Sequence, residues 1–205
     1  DEVRGAGGRA LADSGDITTL AGAQAIVDAA VAAFGEVHVL VNNAGVLRDR
    51  MFLSLTEDDW DTVMRVHLKG HFCLANVLGR RWRDAKKAGT PVDHPRIINT
   101  SSGAGLQGSI GQSNYAAAKA GIAGLTLVQA AELARYGITV NCLAPAARTS
   151  MTEGAMPRML RMILPFRFRV DSVDATWKLN QNKAPEIRAR AAAVLSRGNA
   201  PAQQI

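Results

Sequence analysis

Three apolar runs, Val37-His-Val-Leu-Val41, Arg96-Ile-Ile-Asn-Thr100 and Ile138-Thr-Val-Asn-Cys-Leu143, constrain the fold more than any other feature of the chain. Each leads straight into a polar, glycine-bearing or proline-broken segment: Asn42-Asn-Ala-Gly45, Ser101-Ser-Gly-Ala-Gly105 and Ala144-Pro145. β-Branched side chains fit a pleated surface, and the compact run Val37–Val41 reads as a strand buried on both faces. The stretches between the runs carry apolar residues at helical spacing, so strands alternate with helices. That alternation predicts an α/β fold around a parallel sheet. In such sheets ligands bind beyond the carboxyl ends of the strands, where these segments fall.

The punctuation between strands supports this order. A short apolar run, Ala10–Asp13, is ended by Ser-Gly-Asp. Thr18 or Thr19 can cap a helix whose apolar positions are Leu20, Ala23, Val27, Ala30, Val31 and Phe34, and Gly35 stops it. Thr56 and Asp59 form a capping-box pair, with Glu57 and Asp58 in the first turn, opening a helical region that lasts to about Lys87. A further helix is predicted from about Ser113 to Arg135, closed by Gly137. Residues 157–205 show no clean period: 159–168 is apolar and basic, and 184–197 reads as a solvated basic helix. The expected division is a domain of residues 1–156 and a basic tail of residues 157–205.

At 205 residues the chain has the size of one ordinary domain. Its least polar long stretch, Tyr115–Leu133, is interrupted by Lys119, Gln129 and Glu132, which excludes a membrane-spanning helix there. The opening Asp-Glu-Val-Arg-Gly has neither the basic nor the apolar region of a signal peptide. Cys73 and Cys142 stand far apart and outside any C-x-x-C spacing, so a reducing, cytoplasmic setting is expected. The chain holds 24 basic and 18 acidic residues, and most of the surplus lies after residue 150. The nearly neutral body shows no basic stripe interleaved with aromatics, so nucleic acid is not an expected partner.

Chemistry concentrates in one helix and one strand end. Tyr115 and Lys119 are four residues apart on a predicted helix, so they leave the same face. A phenol with an ordinary pKa of about 10 is a poor base at neutral pH, and a neighbouring ammonium favours its phenolate. Ser102 lies 13 residues upstream of Tyr115 at a strand end, which makes the pair more than a surface coincidence.

These residues resemble the short-chain dehydrogenase/reductase family. Asn42-Asn-Ala-Gly45, the Ser102-to-Tyr115 spacing, Tyr115-Ala-Ala-Ala-Lys119 and Gly137-Ile-Thr-Val-Asn141 match in order and separation over about residues 1–150. Asn-Asn-Ala-Gly-Val-Leu-Arg-Asp-Arg and Val-His-Leu-Lys-Gly are similar to 3-oxoacyl or steroid reductases and to (3R)-hydroxyacyl-CoA dehydrogenase modules. The resemblance implies a doubly wound, Rossmann-type parallel sheet and an NAD(P)-dependent alcohol dehydrogenase or ketoreductase, NAD being slightly favoured. Its substrate would be a small-molecule secondary alcohol or ketone, such as a 3-oxoacyl thioester or a steroid. Tyr115 would transfer the proton of the substrate alcohol, Ser102 would orient the carbonyl oxygen, and Lys119 would bond the nicotinamide ribose and lower the Tyr115 pKa. Asn43, Ala44 and Gly45 would let the cofactor approach the backbone, Asp16 and Ile17 would contact the adenine, and Pro145 and Thr149 would flank the nicotinamide. The two long helices would pack against those of another subunit in a homotetramer or homodimer.

Several positions depart from the family pattern. The usual Asn of the central helix is His67, whose imidazole can still anchor a proton-relay water because it both donates and accepts. Pro-Gly after the last matched strand is Pro145-Ala146, and no strand with a glycine-rich phosphate turn precedes Asn42. Gly5-Ala-Gly-Gly8 is read instead as the turn between a helix and the family's third strand near Ala10. The domain would then lack the first two strands and the C-terminal strand, leaving Val37–Val41 as a sheet edge. That loss supports a rival reading, a pseudoenzyme or binding module that kept the fold without the chemistry. His67 and His71 share a helix face, but no third ligand accompanies them and no metal site is expected. Arg80, Arg81, Arg83, Lys86 and Lys87 suit a helix C-terminus, and Trp60 and Trp82 suit packing.

Overall fold

Val39–Asn42 (β1), Arg96–Thr100 (β2) and Thr139–Leu143 (β3) form a parallel sheet in the order β1-β2-β3. The protein is seen as a computed structural model, which describes residues 2–145. Leu40 pairs with Ile97 and Ile97 with Val140, so the central residues of the strands lie abreast. Parallel neighbours need crossovers. Between β1 and β2 the crossover is Glu57–Met64 (α3), a π turn at Arg65–Lys69 and Gly70–Lys87 (α4); between β2 and β3 it contains Gly103–Gln107 (α5) and Ser113–Leu133 (α6).

Helix boundaries follow the local chemistry. Thr19 accepts the Gly22 amide at 3.0 Å and caps Leu20–Phe34 (α2), which ends at Gly35 with φ 91°. The Thr56–Asp59 capping box opens α3 as expected. The continuous helix expected to Lys87 is instead broken in character at Arg65–Lys69, where the π turn widens the coil around His67. After α6 a 3-10 turn at Ala134–Tyr136 closes on Gly137, whose φ of 80° suits only glycine well.

The sheet is buried on one face. Leu40, Asn42, Ile97, Asn99 and Val140 are buried, and α4 packs on β1 while α6 packs on β2 and β3. Val39 and Val41, on the alternate positions, are 51% and 56% exposed. The expectation of a strand buried on both faces is therefore corrected: among the described residues the helices cover one face, the side on which α2, α4 and α6 lie. Right-handed crossovers in a common direction place both connecting helices there. Trp82, Leu78, Ile97 and Ile138 fill this layer, each at most 2% exposed, and burying a side chain of this kind contributes roughly 1.5–3 kcal/mol.

Two boundaries differ from the sequence expectation. β1 begins at Val39, because the Val37 carbonyl accepts the Trp82 indole N–H at 2.8 Å, and ladder bonding starts with the Arg96 amide on the His38 carbonyl. The strand expected near Ala10 is absent: residues 8–16 form neither helix nor strand, no described strand lying beside them to pair their backbone groups. The described residues belong to two compact units, 2–11 and 12–145. In the first, Glu2–Gly5 (α1) ends in a turn at Gly7, and the Arg4 guanidinium donates to the Ala10 carbonyl at 2.8 Å. The expected boundary at residues 156 and 157 lies outside the described residues. Both cysteines are free, and no described helix is long and apolar enough to cross a membrane.

Candidate active site

The carboxyl end of β2 builds the first part of the site. Ser101 is buried, its hydroxyl donating to the Lys119 carbonyl at 2.7 Å and its amide to the Leu143 carbonyl at 2.7 Å. Ser102 then caps α5, its Oγ accepting the Ala104 amide at 3.2 Å. A lone pair is used in this cap, and the O–H remains available to donate. Gly105 lets α5 lie directly on α6: a Cβ there would come within 2.7 Å of Lys119 Cβ and 2.8 Å of the Ala120 nitrogen.

Tyr115 and Lys119 share a face of α6, as their spacing predicts. Lys119 is buried at 3% exposure, and its Nζ donates to the Thr100 carbonyl at 2.5 Å while lying 5.6 Å from the Tyr115 ring centroid. Loss of solvation on burial lowers the Lys119 pKa to about 8, opposed by a smaller effect of Cys142. The ammonium has three donors and one is spent on Thr100, so two remain for other partners.

His67 meets Tyr115 from the π turn. The two rings are edge to face, with centroids 5.3 Å apart and planes at 90°. His67 Nε2 lies 2.8 Å from the Val46 carbonyl oxygen and 3.1 Å from the Val46 amide nitrogen, which fixes the ring to the loop leaving β1. Its Nδ1 is buried without a hydrogen-bond partner. Burial lowers the His67 pKa, the Val46 bond opposes this, and the Lys119 charge adds to the lowering. Gly45 is needed for this packing, since a Cβ would run into the His67 ring. His71 lies one turn on, 1% exposed, with its pKa pushed down to about 4 by burial and next by the Lys119 charge.

Buried amides that sequence reasoning left without a role hold these parts in place. Asn42 Nδ2 donates to Asn99 Oδ1 at 3.0 Å and to the His71 carbonyl at 3.4 Å; Asn99 Nδ2 donates to Thr126 Oγ1 and Gln129 Oε1, both at 2.9 Å. The chain of bonds joins β1, β2, α4 and α6 beneath the site. Asn114, the residue before Tyr115, is fully buried and bonds to Arg48, Asp59 and Tyr115. Asp59 is buried as well, and hydrogen bonds from Thr56 first, then Arg50, hold its carboxyl below the usual range. The sequence signal for these residues was only their position, an amide within a strand or immediately before the tyrosine.

The remaining expected cofactor residues are spread around the same end of the sheet. Asn43, Ala44 and Gly45 follow β1 and are exposed, and Pro145 follows β3 and is exposed. The Asp16 carboxylate accepts the Thr18 amide at 2.8 Å, which lowers its pKa, and the Ile17 side chain packs against Gly70 at the start of α4. Thr149 lies outside the described residues. Among the described residues no group of three or more His, Cys, Asp or Glu is placed to hold a metal ion. The basic end of α4 is engaged locally: Arg81 pairs with Glu36 at 2.8 Å, Arg83 with Asp84 at 2.7 Å, and Lys86 donates to the Arg135 carbonyl at 3.1 Å.

Comparison with known proteins adds an independent line. A family model described as short chain dehydrogenase matches residues 1–159. The hydroxyacyl-CoA dehydrogenase ChsB1 of Mycobacterium tuberculosis is 48% identical over 156 residues, which cover 74% of this chain and 49% of that protein. The peroxisomal multifunctional enzyme type 2 of Drosophila melanogaster is 43% identical over 160 residues, 78% of this chain and 25% of that protein. The chain thus spans about half the length of the first relative and a quarter of the second. A crystal structure of a short chain dehydrogenase from Mycobacterium avium superposes with a TM-score of 0.70 at 40% identity, covering 100% of this chain and 80% of that one.

Proposed function

Because the chain belongs to the short-chain dehydrogenase family, we propose that it is an NAD(P)-dependent oxidoreductase interconverting a secondary alcohol and a ketone, with Ser102, Tyr115, Lys119 and His67 as its site. The observation that carries this reading is that the Tyr115 ring lies 5.6 Å from the Lys119 ammonium and 5.3 Å from the His67 ring. A phenol so placed has an ammonium and an imidazole ring as its neighbours.

Each side chain has a task its geometry supports. The Ser102 hydroxyl, with its lone pair used by Ala104, donates to the carbonyl oxygen and holds it where charge develops. Tyr115 gives its proton to that oxygen in reduction and accepts it back in oxidation. Lys119 is anchored on Thr100 and has its remaining donors free to bond a ribose hydroxyl. His67 stands beside the phenol, its ring held by Val46 through Nε2.

The residues present fit a nicotinamide cofactor at its ribose end: Lys119 has donors left beyond its bond to Thr100, and Ala44 and Gly45 offer an exposed backbone strip of small residues after β1. NAD or NADP, when bound, supplies the hydride site. Asn43, Ala44, Gly45, Pro145 and Thr149 would flank it, with Asp16 and Ile17 toward the adenine. The name of the Mycobacterium tuberculosis relative supports a 3-hydroxyacyl thioester as substrate, with a steroid-like ketone as the other member of the same chemistry.

Exposed apolar residues on the two long helices, Phe72 on α4 and Leu127 and Val128 on α6, support assembly with further copies as a dimer or tetramer. The free thiols agree with a reducing compartment; we read it as the cytoplasm, although several relatives carry peroxisomal names. Purified chain given a 3-hydroxyacyl-CoA and NAD or NADP is expected to form reduced nicotinamide, measured by its absorbance. Failure to turn over and to bind either nucleotide would overturn the reading in favour of an inactive module.

A further inference from the structure

Two rings of the site are registered to the same three-residue stretch of loop. His67 bonds to Val46 through Nε2, and Asn114 Nδ2 donates to the Arg48 carbonyl at 3.1 Å. The second hydrogen of that amide goes to the Asp59 carbonyl at 3.1 Å, and Asn114 Oδ1 accepts the Tyr115 backbone amide at 2.7 Å. Asn114 is 0% exposed, so both donors and one acceptor lone pair are satisfied with no water needed.

We propose that Asn114 is a positioning residue for Tyr115, locking the first turn of α6 to the Val46–Arg48 loop so that the tyrosine ring keeps its place against His67. The argument is geometric. α6 begins at Ser113 with no side-chain cap from Gln112, so its first turn is not held by the usual capping bond. The Asn114 amide supplies the missing restraint from inside the turn, reaching two other elements at once. Backbone bonding reinforces the same junction, since the Arg50 amide donates to the Gly111 carbonyl at 2.9 Å and Gln112 Nε2 to Asp49 at 2.9 Å. Those bonds fix the approach to α6; the Asn114 side chain ties the loop to the Tyr115 amide itself. Replacing it by alanine removes its bonds to the Arg48 and Asp59 carbonyls and leaves the tyrosine free to shift, and a displacement of about 1 Å at a reacting group can cost a factor of about a hundred in rate.

This inference rests on the oxidoreductase reading only for its effect on turnover, so the test has two readouts. The chain contains just two tyrosines, Tyr115 and Tyr136, so in a Tyr136→Phe background ring-labelled tyrosine gives a single signal. NMR is expected to show cross-peaks between the Tyr115 and His67 rings, and Asn114→Ala is expected to weaken or abolish them while the backbone amide spectrum away from the junction stays in place. In turnover, Asn114→Ala should lower kcat by between about ten- and a hundredfold, with the nucleotide dissociation constant changed by less than about twofold. If Asn114→Ala does not fold, Asn114→Ser, which keeps a hydroxyl near the Tyr115 amide but cannot reach Arg48, is measured instead with the same expectation. Unchanged cross-peaks and unchanged kcat would overturn the proposal. Loss of the cross-peaks in a chain whose unsubstituted form neither turns over nor binds nucleotide would sustain it while overturning the oxidoreductase reading.

Discussion

The His67 and Tyr115 rings stand perpendicular at 5.3 Å, one carried by a π turn and the other by the first turn of α6. Neither element places its ring alone. His67 is fixed by Val46, Tyr115 by the Asn114 bonds, and the loop leaving β1 is common to both. The π turn matters because it displaces the helix register by one residue relative to a plain α-helix, which aims His67 at Val46 and leaves Nδ1 buried and free.

Tyr115→Phe tests the proton transfer directly. The substitution keeps the ring against His67 and removes only the hydroxyl, so packing is preserved while the transferred proton is lost. Turnover is expected to fall by about 10²- to 10⁴-fold, with nucleotide affinity nearly intact. Steady-state kinetics beside calorimetric titration of NAD checks this, and near-normal turnover would sink the assigned role.

Lys119 gives a pH dependence of stability with a definite sign. Its pKa in the folded chain is about 8, below the ordinary 10.5, because burial disfavours the ammonium. Between those two values the unfolded chain binds a proton that the folded chain does not, so stability rises with pH there. Below about 8 the charge is present in both states and its full cost of burial is felt; above 10.5 it is absent from both. Relative to Lys119→Met, the unsubstituted chain is expected to gain on the order of 3 kcal/mol across this window. Urea unfolding of both proteins from neutral to strongly alkaline pH measures the difference, and a flat difference would contradict it.

His71 acts at the acid side with the same sign, in a lower pH window. Burial and the nearby Lys119 and His67 charges hold its folded pKa at about 4 against an ordinary 6.5. Its neutral form is the folded one, so the stability it permits is complete above 6.5 and is lost as pH falls toward about 4. The loss amounts to about 3 kcal/mol for this group alone. His71→Leu should flatten the acid limb of the stability curve, read as the unfolding midpoint against pH. An equally steep limb in that variant would assign the acid sensitivity elsewhere.

The strand ends, the capped helices and the Ser102, Tyr115 and Lys119 spacing were legible because each rests on a local rule: β-branched runs, a capping box, residues four apart on one face. The exposed face of β1 was not, because Val39 and Val41 look the same in sequence whether or not helices cover them. The π turn was hidden too, since Arg65–Lys69 carries the residues of an ordinary helix and is widened by what it packs against. Asn99 and Asn114 went unassigned for a related reason. A polar residue in a strand or helix start reveals its partners only when distant elements, here Thr126 and Arg48, are brought to it. The strand expected near Ala10 failed where a local pattern lacked the neighbour that strand pairing requires.

Gly105→Ala probes how closely α5 must lie on α6. At most of the described glycines an added methyl meets open space or side-chain atoms, but here it would fall 2.7 Å from the Lys119 backbone carbon and Cβ and 2.8 Å from the Ala120 nitrogen. Main-chain atoms of a packed helix do not yield by the several tenths of an ångström required, so α5 has to move outward. Ser102 caps α5 and would move with it, away from the end of β2, while Ser101 would lose its short bond to the Lys119 carbonyl. Overpacking of this kind costs about 1–3 kcal/mol. The expected outcome is a lowered unfolding midpoint together with a kcat loss greater than that of Gly124→Ala, a helical glycine with open space around its Cβ position. Equal midpoints and equal kcat for the two variants would show that α5 tolerates the methyl, and that close contact with α6 is not what holds Ser102 in place.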